Sequence, residues 1–485
     1  MSARPFFVGG TSSNAGKSWM ATAICAWLRR RGVAVAPFKA QNMSNNSFPC
    51  AAGGEIGRAQ VAQAEACGLA PEPAMNPILL KPNGDGTSQV VVNGRVWKTM
   101  PAREYYEQTD ELRGVVRAAF DDLARRFEVV VIEGAGSVTE LNLRPYDLVN
   151  LDLVARLGAP WMLVADIERG GVFGSIVGTF ALLTPEERAL CRGFAINQFR
   201  GDRALFDGGV TMIESRAGAP CLGVFPYAPD IALDAEDSLS DTIPGEAGSL
   251  WKPWRAGATR HRVESVPSVA IIRLPTLSNS TDFRLLVSAD WIAAPPRSDY
   301  DVVILPGSKS VMADLAWLRR TGLAEWIEAQ HRRGATVLGI CGGYQMLGRY
   351  VRDPDAVESP TASAAGLSLL PVDTVLARDK VTRVVSATTA GGTRFGAYEI
   401  HLGDTRVERG ADVEPFALMA GGTPEGARRG RVMGTYLHGA LEHPAVCAEV
   451  LGVPLGTLAA ADRCYDRLAD WLVAHARDLD NWGPH

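Results

Sequence analysis

Residues 336–348 read TVLGICGGYQMLG, and they decide how the C-terminal half of the chain folds. The mostly apolar run 336–340 predicts a short buried strand, and a helical pattern follows the glycines. Cys341 stands at the junction beside Gly342 and Gly343, and such small neighbours allow the sharp turn that presents a nucleophile. The dipole of the following helix favours the thiolate. A buried core cysteine is the alternative, but the flanking glycines favour a nucleophile.

A cysteine nucleophile needs a base and a site for an oxyanion. Residues 431–439, RVMGTYLHG, read as a strand that ends in an exposed histidine, so His438 is the predicted base. Residues 301–309, DVVILPGSK, predict another buried strand that breaks at Gly307. The backbone N–H groups of Gly307 and Gly342 are the predicted oxyanion hole. Because the carboxyl ends of parallel strands converge on one crevice, the three strand ends together predict one site.

Three of these segments resemble the class I glutamine amidotransferase domain, in the variety attached to amide synthases of the cobalamin pathway. They are LPGS at 305–308, GICGGYQ at 339–345 and YLHG at 436–439. The resemblance implies that Cys341 attacks the side-chain amide of glutamine, forms a glutamyl thioester and releases ammonia. It also implies that His438 moves the protons.

One departure from that family concerns the group that orients the histidine. Many class I domains carry a glutamate two positions after the histidine, whereas Gly439 and Ala440 follow His438 here. The sequence therefore predicts a Cys-His dyad with no identified orienting group, and Glu442 is expected at the surface. His401 stays open between a satisfied histidine at a strand end and a substrate-side residue.

Composition restricts the class of protein. The chain has 485 residues, which is too long for one ordinary core, so two or three domains are expected. A formal net charge of −5 provides no basic surface for nucleic acid or an anionic membrane. No apolar run is long enough to span a bilayer, and the N-terminus does not resemble a signal peptide. Eight scattered cysteines without a Cys-x-x-Cys pair suit a reducing cytoplasm.

A glycine-rich loop follows the first predicted strand. Residues 10–18 read GTSSNAGKS, and a helical pattern runs from 19 to 31. This arrangement predicts a phosphate cradle, in which backbone N–H groups and the helix dipole hold the phosphates of ATP. Lys17 is predicted to reach the terminal phosphates and the Ser18 hydroxyl to ligate Mg²⁺. The predicted ATP-binding residues are Thr11, Asn14, Gly16, Lys17, Ser18 and Asn197.

The spacing of the loop departs from the usual motif, since five residues rather than four separate Gly10 from Gly16. The longer loop resembles the dethiobiotin synthetase branch of P-loop enzymes. That resemblance implies a domain that activates a carboxylate by phosphorylation.

Polar residues after the second predicted strand are candidates for substrate binding. Residues 39–46 read KAQNMSNN at the carboxyl end of that strand, where substrates bind in such sheets. Lys39 is predicted to neutralise an acyl phosphate, and Gln41 and Asn42 to contact amides or carboxylates. The alternative is a solvated loop with asparagine turns.

An acidic residue ends a further buried strand, 127–136, which reads FEVVVIEGAG. Its position is that of the acid that assists magnesium in P-loop enzymes, so Glu133 is the second predicted metal ligand. A helix cap is the alternative for such an acid. Asp147 is predicted to contact substrate or magnesium, with a surface aspartate as the alternative. Asn197 lies where related enzymes read the nucleobase.

Strands alternate with helical patterns throughout, which predicts doubly wound parallel sheets in an α/β protein. The expected fold is a dethiobiotin synthetase-like P-loop sheet plus a class I glutamine amidotransferase domain. The predicted boundaries are a P-loop domain at 1–234, a linker at 235–265, an amidotransferase domain at 266–450 and a C-terminal helix in 451–485. The linker is predicted because periodicity is lost there while Pro, Gly, Ser and charge increase.

The resemblance extends over nearly the whole chain and narrows to one family. The segments FKAQNMSNN at 38–46, ERGGVF at 168–173 and NQFRGD at 197–202, with the amidotransferase segments, resemble cobyric acid synthases. That resemblance implies amidation of four carboxylates (b, d, e and g) of adenosylcobyrinic acid a,c-diamide, with ATP, Mg²⁺ and L-glutamine. Nothing in the composition or spacing itself indicates a corrinoid.

Two alternatives remain. A cobyrinic acid a,c-diamide synthase shares both domains, but segment 39–46 is not expected in that family. A nucleotide-switched binding module of the partitioning or nitrogenase type shares only the P-loop domain, so the pairing of Cys341 with His438 counts against it.

Overall fold

The computed structural model describes residues 3–83, 86–228, 231, 267–286, 288–359, 361–453 and 461–483. An N-terminal unit (up to residue 228) and a C-terminal unit (267–453) each contain a central parallel sheet with its own hydrophobic core. The predicted linker, 235–265, lies outside the described residues.

The N-terminal unit is built on a six-stranded parallel sheet with apolar cores on both faces. Alternate residues of its first strand face opposite sides: Phe6 and Val8 pack in one core and Phe7 in the other. Such strands are apolar along most of their length because helices cover both faces. The predicted doubly wound sheet is confirmed. Across the sheet, the strands are Cys221–Pro226, Cys191–Phe199, Trp161–Asp166, Arg4–Gly10, Val129–Glu133 and Val35–Phe38.

Helices surround this sheet, and the helix Lys17–Arg30 begins directly after the glycine-rich loop. The α-helices of the unit are Lys17–Arg30, Arg58–Ala66, Ala102–Glu107, Thr109–Arg126, Leu151–Leu157, Val172–Leu182, Pro185–Leu190 and Asp207–Ala217. Single 3₁₀ turns are Pro73–Met75, Leu141–Tyr146 and Arg203–Phe206.

The predicted substrate loop is partly a strand rather than an open loop. Gln41–Met43 pairs in parallel with Ile78–Pro82 at the edge of a small sheet. The stretch is thus paired on one side, and the Met43 side chain remains exposed. The small sheet contains Gln41–Met43, Ile78–Pro82, Thr87–Val92 and Arg95–Pro101, and a separate hairpin pairs Ser47–Pro49 with Glu55–Gly57.

The C-terminal unit contains a second, mostly parallel sheet. Across this sheet the strands are Asp290–Ile292, Val269–Ile272, Val302–Leu305, Thr336–Ile340, Val432–Thr435 and Ala427–Arg429, the last being antiparallel. A short antiparallel pair joins Leu277–Ser278 to Gly307–Ser308. A third sheet contains Ser363–Ala365, Tyr350–Arg352, Val372–Thr389, Arg394–Val407, Ala417–Met419 and Pro424–Glu425. The helices are Val311–Thr321, Leu323–Arg332, Gly342–Leu347 and Pro444–Leu451, with 3₁₀ turns at Ser280–Phe283 and Ala440–Glu442.

The C-terminal helix returns to the N-terminal unit. Ala461–His475 packs against Lys17–Arg30, and Leu468 and Leu472 are fully buried in that core. The ring of Trp471 lies 4.9 Å from that of Phe225. A short helix, Leu479–Trp482, follows. None of the described helices has the length and apolarity that a membrane span requires.

One segment of the N-terminal unit contacts the C-terminal unit directly. The Ser47 backbone N–H donates to the Asn279 side-chain oxygen at 3.1 Å. Phe48 packs on Tyr398 with ring centroids 4.7 Å apart. The hairpin Ser47–Pro49 with Glu55–Gly57 therefore forms part of the interface between the units, next to the carboxyl ends of the C-terminal strands.

Candidate active sites

Cys341 occupies a strained turn between the strand Thr336–Ile340 and the helix Gly342–Leu347. Its φ of 53° and ψ of −110° lie in a region that residues other than glycine rarely adopt. The turn requires glycine next to it, because a Cβ on Gly343 would lie 2.0 Å from the Leu305 carbonyl oxygen. This is the geometry of a nucleophile on a sharp strand-to-helix turn.

His438 lies beside Cys341, but it is buried rather than exposed as predicted. Its side chain has 0% exposure, since Tyr398 stacks on the imidazole with ring centroids 5.2 Å apart. The Asn279 amide nitrogen is 3.4 Å from Nε2. A histidine at a strand end can thus be covered by neighbouring strands, which strand periodicity does not predict.

The carboxylate of Asp282 orients the imidazole. Its Oδ2 is 2.7 Å from His438 Nδ1, and its Oδ1 accepts a hydrogen bond from the Gly439 backbone N–H at 2.8 Å. Asp282 is 1% exposed, so water does not screen this contact. The predicted dyad is therefore wrong in one respect: a third group is present, and the arrangement is Cys-His-Asp.

The charge state of His438 follows from these contacts. Burial alone would lower its pKa, but the Asp282 carboxylate and the Cys341 sulfur raise the pKa of His438 to about 10. The Cys341 sulfur lies 3.5 Å from the Ile400 carbonyl oxygen. These contacts therefore favour the imidazolium form of His438.

Glu442, which follows the histidine by four residues, does not contact the imidazole. Its side chain is 11% exposed and is ion-paired with Arg58 of the N-terminal unit at 3.4 Å, and with Arg284. It is an interface residue rather than a surface residue.

The backbone around Gly307 differs in detail from the predicted oxyanion hole. Lys309 N–H donates to the Thr276 carbonyl at 2.9 Å, and Ser278 pairs with Gly307. Antiparallel pairs alternate between hydrogen-bonded and open, so the Gly307 N–H faces the neighbouring strand and the Ser308 N–H points away from it. A Cβ on Gly342 would lie 2.7 Å from the Ser308 nitrogen. The register therefore favours Ser308, not Gly307, as the partner of Gly342.

A cavity next to the thiol is lined by both units. Asn45, Ser47 and Lys81 come from the N-terminal unit, and residues around Cys341 from the C-terminal unit. His401 lines the same cavity. The contacts of this histidine leave both interpretations standing. Nδ1 is 2.8 Å from the Gly403 carbonyl oxygen, whereas Nε2 is 3.7 Å from a Glu399 carboxylate oxygen and has no hydrogen-bond partner in the described ranges.

The glycine-rich loop wraps around the Lys17 ammonium group. Lys17 Nζ donates to the backbone carbonyl oxygens of Ser12 at 2.9 Å and Gly136 at 3.0 Å. Gly16 has a φ of 96°, and a Cβ there would lie 1.9 Å from the Asn197 amide nitrogen. This amide donates to the Ala15 carbonyl at 3.1 Å, so Asn197 braces the loop. The remaining predicted residues of the loop are Thr11, whose N–H bonds to Val164, and Asn14, whose carbonyl accepts from Gln198.

Glu133 is fully buried behind this loop and is surrounded by donors. The Ser18 hydroxyl donates to its Oε1 at 2.7 Å, and Lys39 Nζ approaches the same oxygen at 2.9 Å. Gln60 and Gln63 donate to the other oxygen. The two predicted metal ligands, Ser18 and Glu133, are therefore adjacent, and Lys39 is an ion-pair partner of Glu133.

The other predicted substrate residues have structural partners. Asn42 is buried and donates to the Gln60 side chain at 2.8 Å, and Gln41 accepts from the Tyr105 hydroxyl. Asp147 differs from the prediction, because both its carboxylate oxygens accept backbone N–H groups at the start of the helix Leu151–Leu157. The donors are Val149, Asn150 and Asp152. Asp147 therefore stabilises a helix start.

Comparison with known proteins is consistent with this geometry. The family model described as CobQ/CobB/MinD/ParA nucleotide binding domain matches residues 6–240, and the model described as CobB/CobQ-like glutamine amidotransferase domain matches residues 268–446. A cobyric acid synthase of Rhodococcus jostii is 48% identical over 441 residues, which cover 90% of this chain and 83% of the relative. The chain belongs to the cobyric acid synthase family.

Other members of the cobyric acid synthase family match over almost the full chain. The relative from Mycolicibacterium gilvum is 45% identical over 490 residues, covering 98% of this chain and 94% of its own. The relative from Syntrophobacter fumaroxidans is 42% identical over 510 residues, which cover 98% of this chain and 97% of the relative. The predicted family and fold class are thereby confirmed, and both alternative families are disfavoured.

Two residues of the candidate site, Asp282 and Ser308, are not predicted from the sequence. Asp282 lies 156 residues before His438 in a short 3₁₀ turn, so no local motif connects them. The sequence does not distinguish Ser308 from Gly307 as the oxyanion donor, because that distinction depends on strand register. The segment 276–283, TLSNSTDF, is rich in polar residues after a buried strand, which was the available signal for Asp282.

Proposed function

We propose that this chain is a glutamine-hydrolysing amide synthase that converts adenosylcobyrinic acid a,c-diamide to adenosylcobyric acid by amidating its b, d, e and g carboxylates. The observation that carries the proposal is the Cys341, His438 and Asp282 constellation on the same chain as the Lys17 loop. A carboxylate is a poor acyl donor at neutral pH, so a nitrogen-releasing site and an ATP site together account for amide formation.

The C-terminal unit releases ammonia in two stages. The Cys341 thiolate attacks the side-chain carbonyl carbon of glutamine, and the developing oxyanion accepts hydrogen bonds from the Gly342 and Ser308 N–H groups. His438 gives its Nε2 proton to the departing amine, so that ammonia leaves and a glutamyl thioester remains. His438 then takes a proton from the water molecule that attacks the thioester, which yields glutamate and releases the Cys341 sulfur as the thiolate. Asp282 holds the imidazole so that Nε2 faces the sulfur.

The N-terminal unit activates the acceptor carboxylate. Backbone N–H groups of the loop and the Lys17 ammonium bind the phosphates of ATP, and the substrate carboxylate attacks the γ-phosphate to form an acyl phosphate. Ammonia then displaces inorganic phosphate and forms the amide. Lys39 lies where its charge can stabilise the transferring phosphoryl group, provided that the Glu133 carboxylate binds a metal cation in place of the Lys39 ammonium.

The residues at this site fit a magnesium ion. The Ser18 hydroxyl and the Glu133 carboxylate lie 2.7 Å apart, and both are hard oxygen donors of the type that Mg²⁺ prefers. Ser18 and Glu133 would therefore hold the ion, with phosphate oxygens completing its ligands. The ion neutralises charge on the phosphates when it is bound.

Two further assignments belong to the proposal. The domain limits of 1–234 and 266–450 agree with the matched family regions, 6–240 and 268–446. The residues after 451 include the helix Ala461–His475, which contacts the N-terminal unit. A cytoplasmic location is supported by the eight cysteines, among which the described residues show no disulfide.

The experiment that tests the proposal is incubation with glutamine, ATP and each corrinoid intermediate in turn, with amides counted by mass spectrometry. Addition of four amides to the a,c-diamide supports the proposal. Addition of two amides to cobyrinic acid itself would assign the chain to the earlier synthase. ATP hydrolysis without any amide formation would indicate a nucleotide-switched binding module.

A further inference from the structure

The cavity beside Cys341 contains several charged side chains. Lys81, Lys309 and Lys380 contribute three ammonium groups, and Glu358 contributes a carboxylate. Behind the cavity, Glu55 is buried and is ion-paired with both Lys81 and Lys380. Two of the three cations therefore share the Glu55 carboxylate. The ion pair of Glu55 with Lys380 crosses the interface between the units, whereas the pair with Lys81 lies within the N-terminal unit.

Lys309 differs from the other two cations. In the described ranges, its ammonium group has no hydrogen bond and no ion-pair partner within 4.0 Å. Its backbone is held firmly, because Lys309 N–H donates to the Thr276 carbonyl at 2.9 Å. Burial and the Lys380 ammonium lower the pKa of Lys309 to about 8, so a bound anion would be favourable there.

Glu358 has the opposite charge and a similar position. One carboxylate oxygen accepts the Met312 N–H at 3.1 Å, and the Glu358 backbone N–H is held by the buried Asp353 carboxylate at 2.8 Å. Burial raises the pKa of Glu358 to about 7. Glu358 and Lys309 perturb each other electrostatically, yet they do not form an ion pair. A cation and an anion thus line one cavity without neutralising each other by contact.

Free glutamine carries both complementary charges on the carbon at the far end from its amide. Three bonds separate that carbon from the amide carbon, so the charged head stays within the cavity when Cys341 reaches the amide. The Cys341 sulfur is close enough to Lys309 to affect its pKa. We propose that Lys309 binds the α-carboxylate of glutamine and Glu358 binds its α-ammonium, so that together they select a free amino acid.

This assignment rests on the proposed glutaminase activity and adds its substrate specificity. Lys309 directly follows Ser308, the last residue of the strand Gly307–Ser308, so consecutive residues present the oxyanion donor and the cation for the head group. A glutamine residue inside a peptide lacks both charges and would leave Lys309 and Glu358 unsatisfied. Unpaired charged groups in a buried site strongly disfavour such a substrate.

The test compares the hydrolysis of glutamine with that of two analogues. The released ammonia is measured by a method that does not use glutamate dehydrogenase. Glutaminamide lacks the α-carboxylate, and 4-carbamoylbutanoate lacks the α-ammonium. Wild-type protein is expected to prefer glutamine to either by about 10²-fold or more in kcat/KM. Lys309→Met should remove the preference over glutaminamide, chiefly by raising KM for glutamine. Glu358→Gln should remove the preference over 4-carbamoylbutanoate and retain the preference over glutaminamide.

Matched variants separate recognition from folding. Lys380→Met removes a cation from the same cavity, but that cation is already paired with Glu55, so the preference over glutaminamide should persist. Lys309→Arg should restore part of the preference that Lys309→Met loses. Amidation with free ammonia checks that each variant is folded.

Two results would overturn the assignment. The first is a Lys309→Met protein whose kcat/KM ratio for glutamine over glutaminamide equals that of wild type. The second is a wild-type protein that uses glutaminamide as well as glutamine. The second result needs no variant, so a failure of Lys309→Met to fold does not prevent the test. If wild-type protein hydrolyses no glutamine at all, the proposed function fails instead.

Discussion

Replacement of Asp282 by Asn tests the group that the structure adds to the cysteine and histidine. The Gly439 N–H donates to one carboxylate oxygen at 2.8 Å, and an asparagine would keep its amide oxygen there. Its NH₂ group would then face His438 Nδ1, which must become an acceptor. The proton would move to Nε2, and the imidazole could no longer take a proton from the thiol.

The size of the effect follows from the electrostatics. The pKa of His438 rises from 6.5 to about 10 despite burial, and Asp282 is the leading favourable cause. At about 1.4 kcal/mol per pKa unit, this amounts to roughly 5 kcal/mol in favour of the imidazolium, shared with Cys341. We therefore expect Asp282→Asn to lower kcat for glutamine hydrolysis by about 10²- to 10⁴-fold.

The assay measures glutamate release and, separately, amide formation from free ammonia. Ammonia-dependent amidation should stay within about 3-fold of wild type, since that reaction does not use the imidazole. Glu449→Gln is the control, because Glu449 bonds to Thr389 and Thr393 rather than to the histidine. Glutamine hydrolysis by Asp282→Asn within about 3-fold of wild type would refute the role given to Asp282.

Three further predictions concern the two sites. Cys341→Ala should abolish glutamine-dependent amidation and keep amidation from ammonia; loss of both activities would show that the thiol is structural. Lys17→Ala should reduce amidation from either nitrogen source by at least about 10²-fold, because phosphate binding is lost; turnover with ammonia at the wild-type rate would contradict the phosphate cradle. The raised pKa of His438 contributes stability below pH 6.5 that is lost as pH rises towards 10. The difference in free energy of unfolding between wild type and His438→Gln, measured by urea denaturation, should therefore shrink over that range, and a constant difference would contradict the imidazolium.

Local motifs were the features that the sequence predicted well. Cys341 and Lys17 each lie at a strand-to-helix junction with adjacent glycines, and the geometry of such a junction depends on a few consecutive residues. Glu133 was found in the same way, as a polar residue that ends an apolar strand. In each case the backbone alone brings the side chain to the edge of a sheet.

Features that depend on packing between distant segments were not predicted. Asp282 approaches His438 across 156 residues, and the burial of His438 depends on Tyr398 from another strand. The surroundings of Lys39 could not be inferred either, since its partner, Glu133, belongs to a strand 94 residues away. Pattern and spacing describe one element at a time, whereas these contacts arise from tertiary structure.

The surroundings of segment 39–46 also depend on distant elements. Its role in substrate binding stays a prediction, and the structure places its start beside Glu133 and its end at the cavity of Cys341. A single stretch of chain therefore contacts both sites. Asn46 of this stretch contacts the C-terminal unit, because its side-chain oxygen accepts the Ser280 backbone N–H at 3.4 Å.

The central claim is that the C-terminal unit frees nitrogen and the N-terminal unit activates the acid that accepts it. The most direct measurement uses glutamine labelled with ¹⁵N in its side-chain amide and a corrinoid substrate labelled with ¹⁸O in its carboxylates, with products analysed by mass spectrometry. We expect one ¹⁵N in each new amide and one ¹⁸O in each inorganic phosphate released. Amide formation with no ¹⁸O in the phosphate would contradict it.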